Sequence, residues 1–406
     1  MQGIDKVLQE EILQRIARLQ EQLQKHGAAA FLVTQHVDLY YLTGSMQAGF
    51  AFIPAHGDAT FYVRRSIWRA GEETAVRVEP LTSLRAFRGL LERDYPEVFA
   101  EAGQSLVATE YDVLPVQTYS KLADILTAGG RCTMIDGSAF IRRVRMTKSP
   151  WEIGRIEAAA QVAAEALEEA AGRIREGMTE LELMARIEYE IRIRGHIGVM
   201  RTRSYNMEVT TGMLGSGEAA AIPSAFDGPA GGLGLGPAAA QSASRKPIVR
   251  GEPILLDIGC CIDGYIIDQT RTAVIGGLSD ELAEAYAQSE AIIRKTEQML
   301  RPGAACDAIY AAALAQADQA GLSRHFMGYG ADQVKFLGHG IGLELDEWPV
   351  LAKGFSDPLV PGMVLAVEPK FTFPGKGVVG IENTYLVTDT GPRALTRSPE
   401  GLIVLP

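Results

Sequence analysis

The sequence predicts two domains: an α+β domain over residues 141–406, preceded by a smaller α/β domain over residues 1–140. Three observations support this prediction. Between residues 28 and 137, short apolar runs alternate with segments of helical periodicity, which is typical of an α/β domain. Soon after the boundary, Ser149-Pro150-Trp151-Glu152 combines a capping box with proline at the first helical position, so a new helix begins there. The later strands are joined as hairpins rather than crossovers, which favours α+β over a parallel sheet.

In the amino-terminal domain, a helix is expected from Val7 to Lys25, because apolar residues recur at helical spacing and Gly27 follows. The whole stretch Met1–His26 is charged and amphipathic, which predicts a helix rather than a secretion signal. The other predicted elements are strands at Ala28–Thr34, Ala51–Pro54, Ala59–Val63 and Ser105–Thr109, a helix at Val113–Thr127, and a last strand and turn at Met134–Gly137.

In the carboxy-terminal domain, the helix that begins after Ser149 is expected to run to about Arg175. A second capping box, Thr179-Glu180-Leu181-Glu182, begins a helix that should stop at Gly195. Two further helices are expected at about 280–300 and 306–320. They lie between two groups of residues that are candidates for chemistry.

The first group lies in a predicted hairpin around Asp263-Gly264, a dipeptide suited to a two-residue type I′ turn. That turn places Asp257 opposite Thr270 and Asp268 diagonal to Asp257 on the same face, at roughly 7–8 Å between backbones. Two aspartates on a solvated hairpin are the alternative. However, Asp257 follows the buried-strand pattern Ile254–Leu256, and a buried carboxylate needs a partner or a metal. Thr270 would then offer a hydroxyl beside the metal ligands.

The second group lies in another predicted hairpin, with strands at Met363–Phe371 and Val378–Val387 joined across Phe373–Gly377. With that loop, Glu368 and Glu382 face each other directly. Like charges directly opposite destabilise a sheet, and a cation between them removes the repulsion. The pair therefore indicates a metal, the alternative being two carboxylates splayed towards solvent.

His339 lies between Gly338 and Gly340, and small neighbours would let the backbone approach a ligand closely. A lone histidine is more often a core or surface residue, so His339 matters mainly in combination with the carboxylates. Four carboxylates and one imidazole favour divalent Mn, Co, Zn or Fe over soft-metal chemistry. Two such ions held a few ångströms apart can share a hydroxide. The candidate ligands are Asp257, Asp268, His339, Glu368 and Glu382.

These motifs resemble the pita-bread metallopeptidases, which include methionine aminopeptidase, aminopeptidase P and prolidase and whose ligands follow the order Asp, Asp, His, Glu, Glu. The segment FIRRVRMTKSPWEIGRIEAAAQVAAEAL from Phe140 resembles the entry to their catalytic domain. The segment RIARLQEQLQKHGAAAFLVTQHVDLYYLTG from Arg15 resembles the amino-terminal domain of the prolidase, aminopeptidase P and creatinase branch. The resemblance covers nearly the whole chain. Methionine aminopeptidases lack that amino-terminal domain and creatinase lacks the metal ligands, so both fit less well.

The resemblance implies a pita-bread catalytic domain preceded by a creatinase-type domain. It also implies a dinuclear metal-dependent hydrolase, specifically a peptidase that cleaves Xaa-Pro bonds in dipeptides or short peptides with a metal-bridged hydroxide. Two divalent ions are expected, manganese or cobalt first and zinc or iron as alternatives. The family also suggests a homodimer.

Residue by residue, the resemblance implies that Asp257 chelates one ion and that Asp268 and Glu382 bridge both ions. His339 and Glu368 would complete the second site. Glu368 is in addition the expected general base and acid, because the matching family glutamate holds the attacking water.

Two positions depart from the family. Aminopeptidase P and prolidase have a histidine seven residues after the metal histidine, where this chain has Asp346. A second substrate-side histidine normally follows a small apolar run, and here Ala219–Pro223 leads to Ser224. Ser224 and Asp346 are therefore candidate substrate contacts. Two alternatives stay open: hydrolysis of a non-peptide C–N bond in a small metabolite, and a non-catalytic binding module on the same fold.

The segment Ala225–Ser244 is rich in glycine and alanine and is either a flexible surface loop or a loop that lines the cleft. The chain carries 39 basic and 50 acidic residues, a net charge of −11, which argues against a nucleic-acid partner or an anionic membrane surface. The sequence contains no run of 18 or more apolar residues, so no membrane-spanning helix is expected. The cysteines show neither zinc-type spacing nor a disulfide framework, so reduced thiols in a cytoplasmic protein are expected. They are Cys132, Cys260, Cys261 and Cys306.

Overall fold

The structure, a computed structural model, describes residues 5–99 and 104–406; residues 1–4 of the predicted Met1–His26 helix lie outside the described residues. The chain forms two compact units, Met1–Arg145 and Met146–Pro406. This division falls at the end of a helix rather than at residue 140. No helix in the described part of the chain is long and apolar enough to cross a membrane.

The first unit is an α/β domain built on a six-stranded mixed sheet in the order β4-β3-β2-β1-β5-β6. β1 pairs in parallel with β5 and antiparallel with β2, so the sheet mixes both ladder types. The strands are β1 Ala30–Val33, β2 Gly49–Pro54, β3 Thr60–Val63, β4 Arg77–Pro80, β5 Ser105–Thr109 and β6 Cys132–Asp136. The helices are α1 Lys6–Lys25, α2 His36–Thr43, α3 Ile67–Glu73, α4 Leu84–Asp94, α5 Val116–Leu126 and α6 Ser138–Met146.

The second unit carries four long helices and thirteen strands in the residues described. Both predicted capping boxes are present, at Ser149 with Glu152 and at Thr179 with Glu182. The helices are α7 Pro150–Ala171, α8 Glu180–Ile193, α9 Asp280–Met299 and α10 Cys306–Gln319. The strands are β7 Gly212–Ser216, β8 Pro253–Ile258, β9 Cys260–Ile262, β10 Tyr265–Ile267, β11 Thr270–Ile275, β12 Phe336–Gly340, β13 Glu347–Ala352, β14 Val364–Val367, β15 Lys370–Phe373, β16 Gly377–Gly380, β17 Asn383–Thr388, β18 Gly391–Ala394 and β19 Ile403–Leu405.

The strands of the second unit form two larger sheets, in the orders β19-β11-β8-β7 and β13-β12-β14-β17-β18, and two separate ladders, β9–β10 and β15–β16. One apolar core packs α9 and α10 against the five-stranded sheet, through residues such as Ile292 and Leu365. Another packs α7 and α8 against the four-stranded sheet, through residues such as Ile187 and Leu256. The predicted α+β class is confirmed.

The registers predicted for both hairpins are confirmed. Asp257 lies opposite Thr270, and the turn at Asp263-Gly264 has positive φ at both residues, as a type I′ turn requires. Lys370 lies opposite Gly380, and the same register places Glu368 across from Glu382.

The prediction of two unbroken strands in the second hairpin is wrong. Each strand is interrupted, the first at Glu368-Pro369 and the second at Ile381-Glu382. Proline has no N–H group and cannot continue a ladder, so the hairpin leaves the five-stranded sheet there and continues as the β15–β16 ladder. The two glutamates therefore lie where the chain changes sheets, and the interruption frees their backbones from a regular ladder.

Candidate metal centre

The five predicted ligands come together in the second unit. Ligand atoms of Asp268, His339 and Glu382 lie within 4.8 Å of one another, and so do ligand atoms of Asp257, Glu368 and Glu382. Glu382 belongs to both groups. The side chains are buried except for that of Asp257, which is 16% exposed.

Glu382 is held in place by β11. Thr270 Oγ1 donates a hydrogen bond to Glu382 Oε2 at 2.8 Å, and both residues are almost fully buried. Arg271 donates from Nη1 to the Glu382 carbonyl oxygen at 2.9 Å, so the interrupted strand is tied to the first hairpin. The predicted place of Thr270 beside the acidic residues thus corresponds to a direct contact with one of them.

His339 lies in β12, where Nδ1 is 3.1 Å from the Gly340 carbonyl oxygen. Since a carbonyl oxygen only accepts, Nδ1 carries the proton and Nε2 keeps a free lone pair. Nε2 is 3.7 Å from Glu368 Oε1 and faces the cluster. Burial lowers the pKa of His339, but the charges of Asp346 and Glu368 outweigh this effect, so its pKa is raised.

The glycines beside His339 have a different role from the one predicted. A Cβ at Gly338 would lie 2.1 Å from the Ala366 carbonyl oxygen, and one at Gly340 would lie 2.3 Å from the Trp348 carbonyl oxygen. Their lack of a side chain makes room for the neighbouring strands rather than for a ligand.

Burial and mutual repulsion raise the pKa values of the clustered carboxyls. Burial is the largest cause for Asp268, whose pKa is well above its ordinary value, and the charges of Glu382 and Asp257 add to it. Burial also raises the pKa of Glu368 to about 7, although the Lys370 ammonium opposes the shift. Several carboxyl groups buried close together can all be ionised only if a positive charge lies near them.

Sequence reasoning missed a cation in this cluster. Lys370 is fully buried, and its Nζ lies 2.6 Å from Glu368 Oε2 and 3.0 Å from both Asp257 Oδ2 and Glu382 Oε2. The signal was in the sequence, because side chains two apart on an extended chain point to the same side, and Lys370 is two residues after Glu368. Burial lowers the pKa of Lys370, but the carboxylates, Asp257 first, raise it well above its ordinary value.

The donor set fits a divalent ion at one of the two groups. Glu382 Oε1 is buried and has no hydrogen-bond partner among the described residues, an arrangement that costs free energy unless a cation is bound. Asp268, His339 and Glu382 would hold that ion through two carboxylates and a free imidazole nitrogen. At the second group, the Lys370 ammonium already contacts Asp257, Glu368 and Glu382.

The predicted substrate residues lie near this cluster but outside both groups. Asp346 Oδ1 is 3.7 Å from His339 Nδ1, and the Asp346 side chain is 39% exposed. Partial burial raises the pKa of Asp346, the charge of His339 opposes the shift, and the charge of Asp227 adds to it. Ser224 is half-buried, and its Oγ accepts a hydrogen bond from the Phe226 N–H at 3.2 Å.

A cleft of about 750 Å³ lies in the second unit, and none of the five candidate ligands lines it. Ser224 and Asp227 line one side of it, and Phe336 and Thr372 line another. The Phe336 ring centroid is 6.3 Å from that of His339, so one lining residue of the cleft packs against a candidate ligand. Residues 223–231 line this cleft, so the first part of the glycine-rich segment lines a cavity, and its role towards a substrate stays a prediction. Its anchor is a 2.9 Å hydrogen bond from Thr372 Oγ1 to the Pro229 carbonyl oxygen.

Comparison with known proteins gives the family. Residues 154–389 match the model of metallopeptidase family M24, and residues 15–147 match the creatinase/prolidase N-terminal domain. The chain belongs to metallopeptidase family M24 and carries the creatinase/prolidase type of amino-terminal domain. The family and the two-domain fold predicted from the motifs are thereby confirmed.

Relatives match over nearly the full length. The chain is 27% identical over 403 residues to an Xaa-Pro dipeptidase of Pyrococcus horikoshii, covering 96% of this chain and 99% of the relative. It is 29% identical over 391 residues to the probable dipeptidase PepE of Mycobacterium tuberculosis, covering 94% and 93%. The crystal structure of the Pyrococcus horikoshii prolidase superposes with a TM-score of 0.77 at 26% identity, covering 96% of this chain and 100% of that one.

Proposed function

We propose that this protein is a metal-dependent hydrolase that cleaves Xaa-Pro bonds in dipeptides or short peptides. The convergence of Asp268, His339 and Glu382, together with the buried and unpartnered Glu382 Oε1, is the observation that carries the proposal. The names of the relatives, Xaa-Pro dipeptidase and dipeptidase, support the substrate class. Manganese or cobalt is the expected metal, with zinc or iron as alternatives, since oxygen ligands with one imidazole suit these ions.

A bound divalent ion supplies a Lewis acid and lowers the pKa of a coordinated water. The chain contributes Glu368, a buried carboxyl whose pKa is raised to about 7, chiefly by burial. From its place beside the metal group, Glu368 would accept a proton from the attacking water and return it to the leaving nitrogen. Lys370 holds Glu368 Oε2, which leaves Oε1 on the side of His339.

The cleft beside the cluster would hold the substrate. Ser224 and Asp346 are the proposed contacts, because Ser224 lines the cleft and Asp346 lies beside His339. An aspartate in this place suits a cationic group on the substrate, such as a free α-amino group.

Hydrolysis of a non-peptide C–N bond in a small metabolite is the second candidate. The replacement of both usual histidines by Ser224 and Asp346 favours it, since a metabolite amine would also suit Asp346. A binding module without catalysis would retain the fold but turn over no substrate. Cytoplasmic location and a homodimer also belong to the proposal; the free, buried cysteine thiols agree with a reducing compartment.

The test is hydrolysis by manganese-loaded protein of Ala-Pro, Met-Pro, Arg-Pro and a longer Xaa-Pro peptide, each with a matched control that lacks proline. We expect cleavage of the short proline substrates. Turnover of none of these peptides, together with turnover of a non-peptide amide, would establish the metabolite hydrolase instead.

A further inference from the structure

Lys370 lies among the carboxylates of the candidate metal centre, although its side chain is a cation and not a metal ligand. It begins β15, directly after Pro369, and its fully buried ammonium contacts three carboxylates. The contacts are 2.6 Å to Glu368 Oε2 and 3.0 Å to Asp257 Oδ2 and Glu382 Oε2. Short charge-assisted contacts to three acidic groups are what a bound cation makes.

The ammonium and a metal ion compete for the same place. Carboxylate oxygens bind divalent ions such as zinc at about 2.0–2.2 Å. An ion bound to the three oxygens that Lys370 contacts would therefore compete with the ammonium for the same carboxylate oxygens. It would also place two positive charges side by side with no anion between them.

An ion bound by the other group, Asp268, His339 and Glu382, would not compete with the Lys370 ammonium in this way. The ion pairs that Lys370 makes within the described residues involve Asp257, Glu368 and Glu382, but neither Asp268 nor His339. The two carboxylate oxygens of Glu382 differ in their hydrogen-bond partners. Oε2 receives hydrogen bonds from Lys370 and Thr270, whereas Oε1 is buried without a hydrogen-bond partner in the part of the chain that the structure describes.

We propose that the Lys370 ammonium replaces one of the two metal ions of the family, so that this chain binds a single divalent ion at Asp268, His339 and Glu382. The inference deepens the proposed function and rests on it. Asp257 then serves as a partner of Lys370 rather than as a metal ligand, and the expected pair of ions becomes one ion and one ammonium.

The experiment measures how much manganese the protein binds. Wild-type protein, Lys370→Met and Lys376→Met are saturated with Mn²⁺, freed of excess metal and subjected to elemental analysis and electron paramagnetic resonance. Methionine keeps much of the lysine volume but removes the charge. Lys376 lies in the same hairpin with its side chain 54% exposed, paired with Glu281, so it controls for the substitution itself.

We expect one Mn²⁺ per chain, with the six-line spectrum of an isolated ion, in the wild type and in Lys376→Met. Lys370→Met should bind two ions and show the broadened spectrum of a coupled pair. Two ions in the wild type, none in the wild type, or an unchanged single ion in Lys370→Met would each overturn the proposal.

A second pair of variants keeps the test decisive if Lys370→Met does not fold. Asp257→Asn should retain the single Mn²⁺, whereas Asp268→Asn should lose it; loss from both would overturn the proposal. The outcomes also separate this inference from the proposed function. One bound ion without hydrolysis of Xaa-Pro peptides would refute only the function, and two bound ions with hydrolysis would refute only the role of Lys370.

Discussion

Replacing Thr270 by valine tests how the chain supports its metal group. The Thr270 hydroxyl donates to Glu382 Oε2 at 2.8 Å, and valine keeps the shape while removing the donor. A hydrogen bond to a charged group contributes about 1.5–3 kcal/mol, so the free energy of unfolding should fall by about 2 kcal/mol. Loss of such a supporting contact typically weakens metal binding about 10–100-fold. The lower end is expected, because Lys370 still donates to the same oxygen at 3.0 Å.

Thr272→Val is the matched control. Thr272 lies two residues further along β11, is equally buried, donates to the Gly380 carbonyl oxygen at 2.8 Å and accepts from the Gly380 N–H at 3.1 Å. Losing both neutral hydrogen bonds should also cost about 2 kcal/mol. Urea unfolding measures stability, and competition with a chelator measures Mn²⁺ affinity. Both variants should be destabilised, but only Thr270→Val should bind manganese more weakly. Equal affinities in the two variants would refute the reasoning.

Three further predictions concern the candidate site, and a fourth concerns a buried carboxyl of the first unit. Glu382→Ala should lose bound Mn²⁺ and hydrolysis together, as elemental analysis and a peptide assay would show; an active, metal-loaded variant would contradict its role. Glu368→Gln should keep its Mn²⁺ but lower kcat about 100–10,000-fold, because a proton carrier is lost; a lower metal content with unchanged kcat would contradict that role. Asp346→His and Ser224→His should change the substrate profile or its pH dependence while Mn²⁺ content stays constant, since imidazole titrates near neutrality. Burial raises the pKa of Glu110 to about 7, so the folded state binds the proton of the Glu110 carboxyl group more tightly than the unfolded state does. The free energy of unfolding should therefore fall by about 2–3 kcal/mol as pH rises from about 4.5 to 7, and Glu110→Gln should remove that part of the slope in urea titrations at a series of pH values.

Much of the candidate site was predictable because local turns determine the register of hairpins. The Asp263-Gly264 turn is enough to place Asp257 opposite Thr270, with no knowledge of the rest of the fold. Likewise, the loop around Gly375 is enough to place Glu368 opposite Glu382. These registers depend on residues within about fourteen positions of each other along the chain, where sequence patterns are most informative.

Features that depend on distant parts of the chain were not predictable in the same way. The interruptions at Glu368 and Glu382 arise because the hairpin passes from one sheet to another, and the partner strands come from remote segments. The meeting of Glu382 with Thr270 is such a long-range contact. In the first unit, β4 was missed because Arg77–Pro80 has a polar, unpatterned sequence that pairs only at the edge of the sheet.

Lys370 was missed for a different reason. The acidic residues alone are enough to indicate a metal site, so the lysine was not considered. Period-two alternation nevertheless places Lys370 on the same side of the strand as Glu368. The charge of a buried acidic cluster must therefore be counted over every charged side chain on its strands, including lysine and arginine. A lysine here is as informative as a missing ligand, since in the proposed arrangement its ammonium takes the place of one metal ion.

The charge around the cluster bears on the substrate as well. In the proposed arrangement, one divalent ion and the Lys370 ammonium supply three positive charges against at most four negative charges on the carboxylates, whose pKa values burial raises. Asp227 lines the cleft, and Asp346 lies beside His339. Attraction between this region and a cation grows as water is excluded from the site. A substrate with a free α-amino group near Asp346 meets that field favourably, whereas a substrate whose amino end is blocked does not. If Ser224 and Asp346 contact the substrate as proposed, the replacement of the usual histidines and a single metal ion would both favour short substrates with a cationic end.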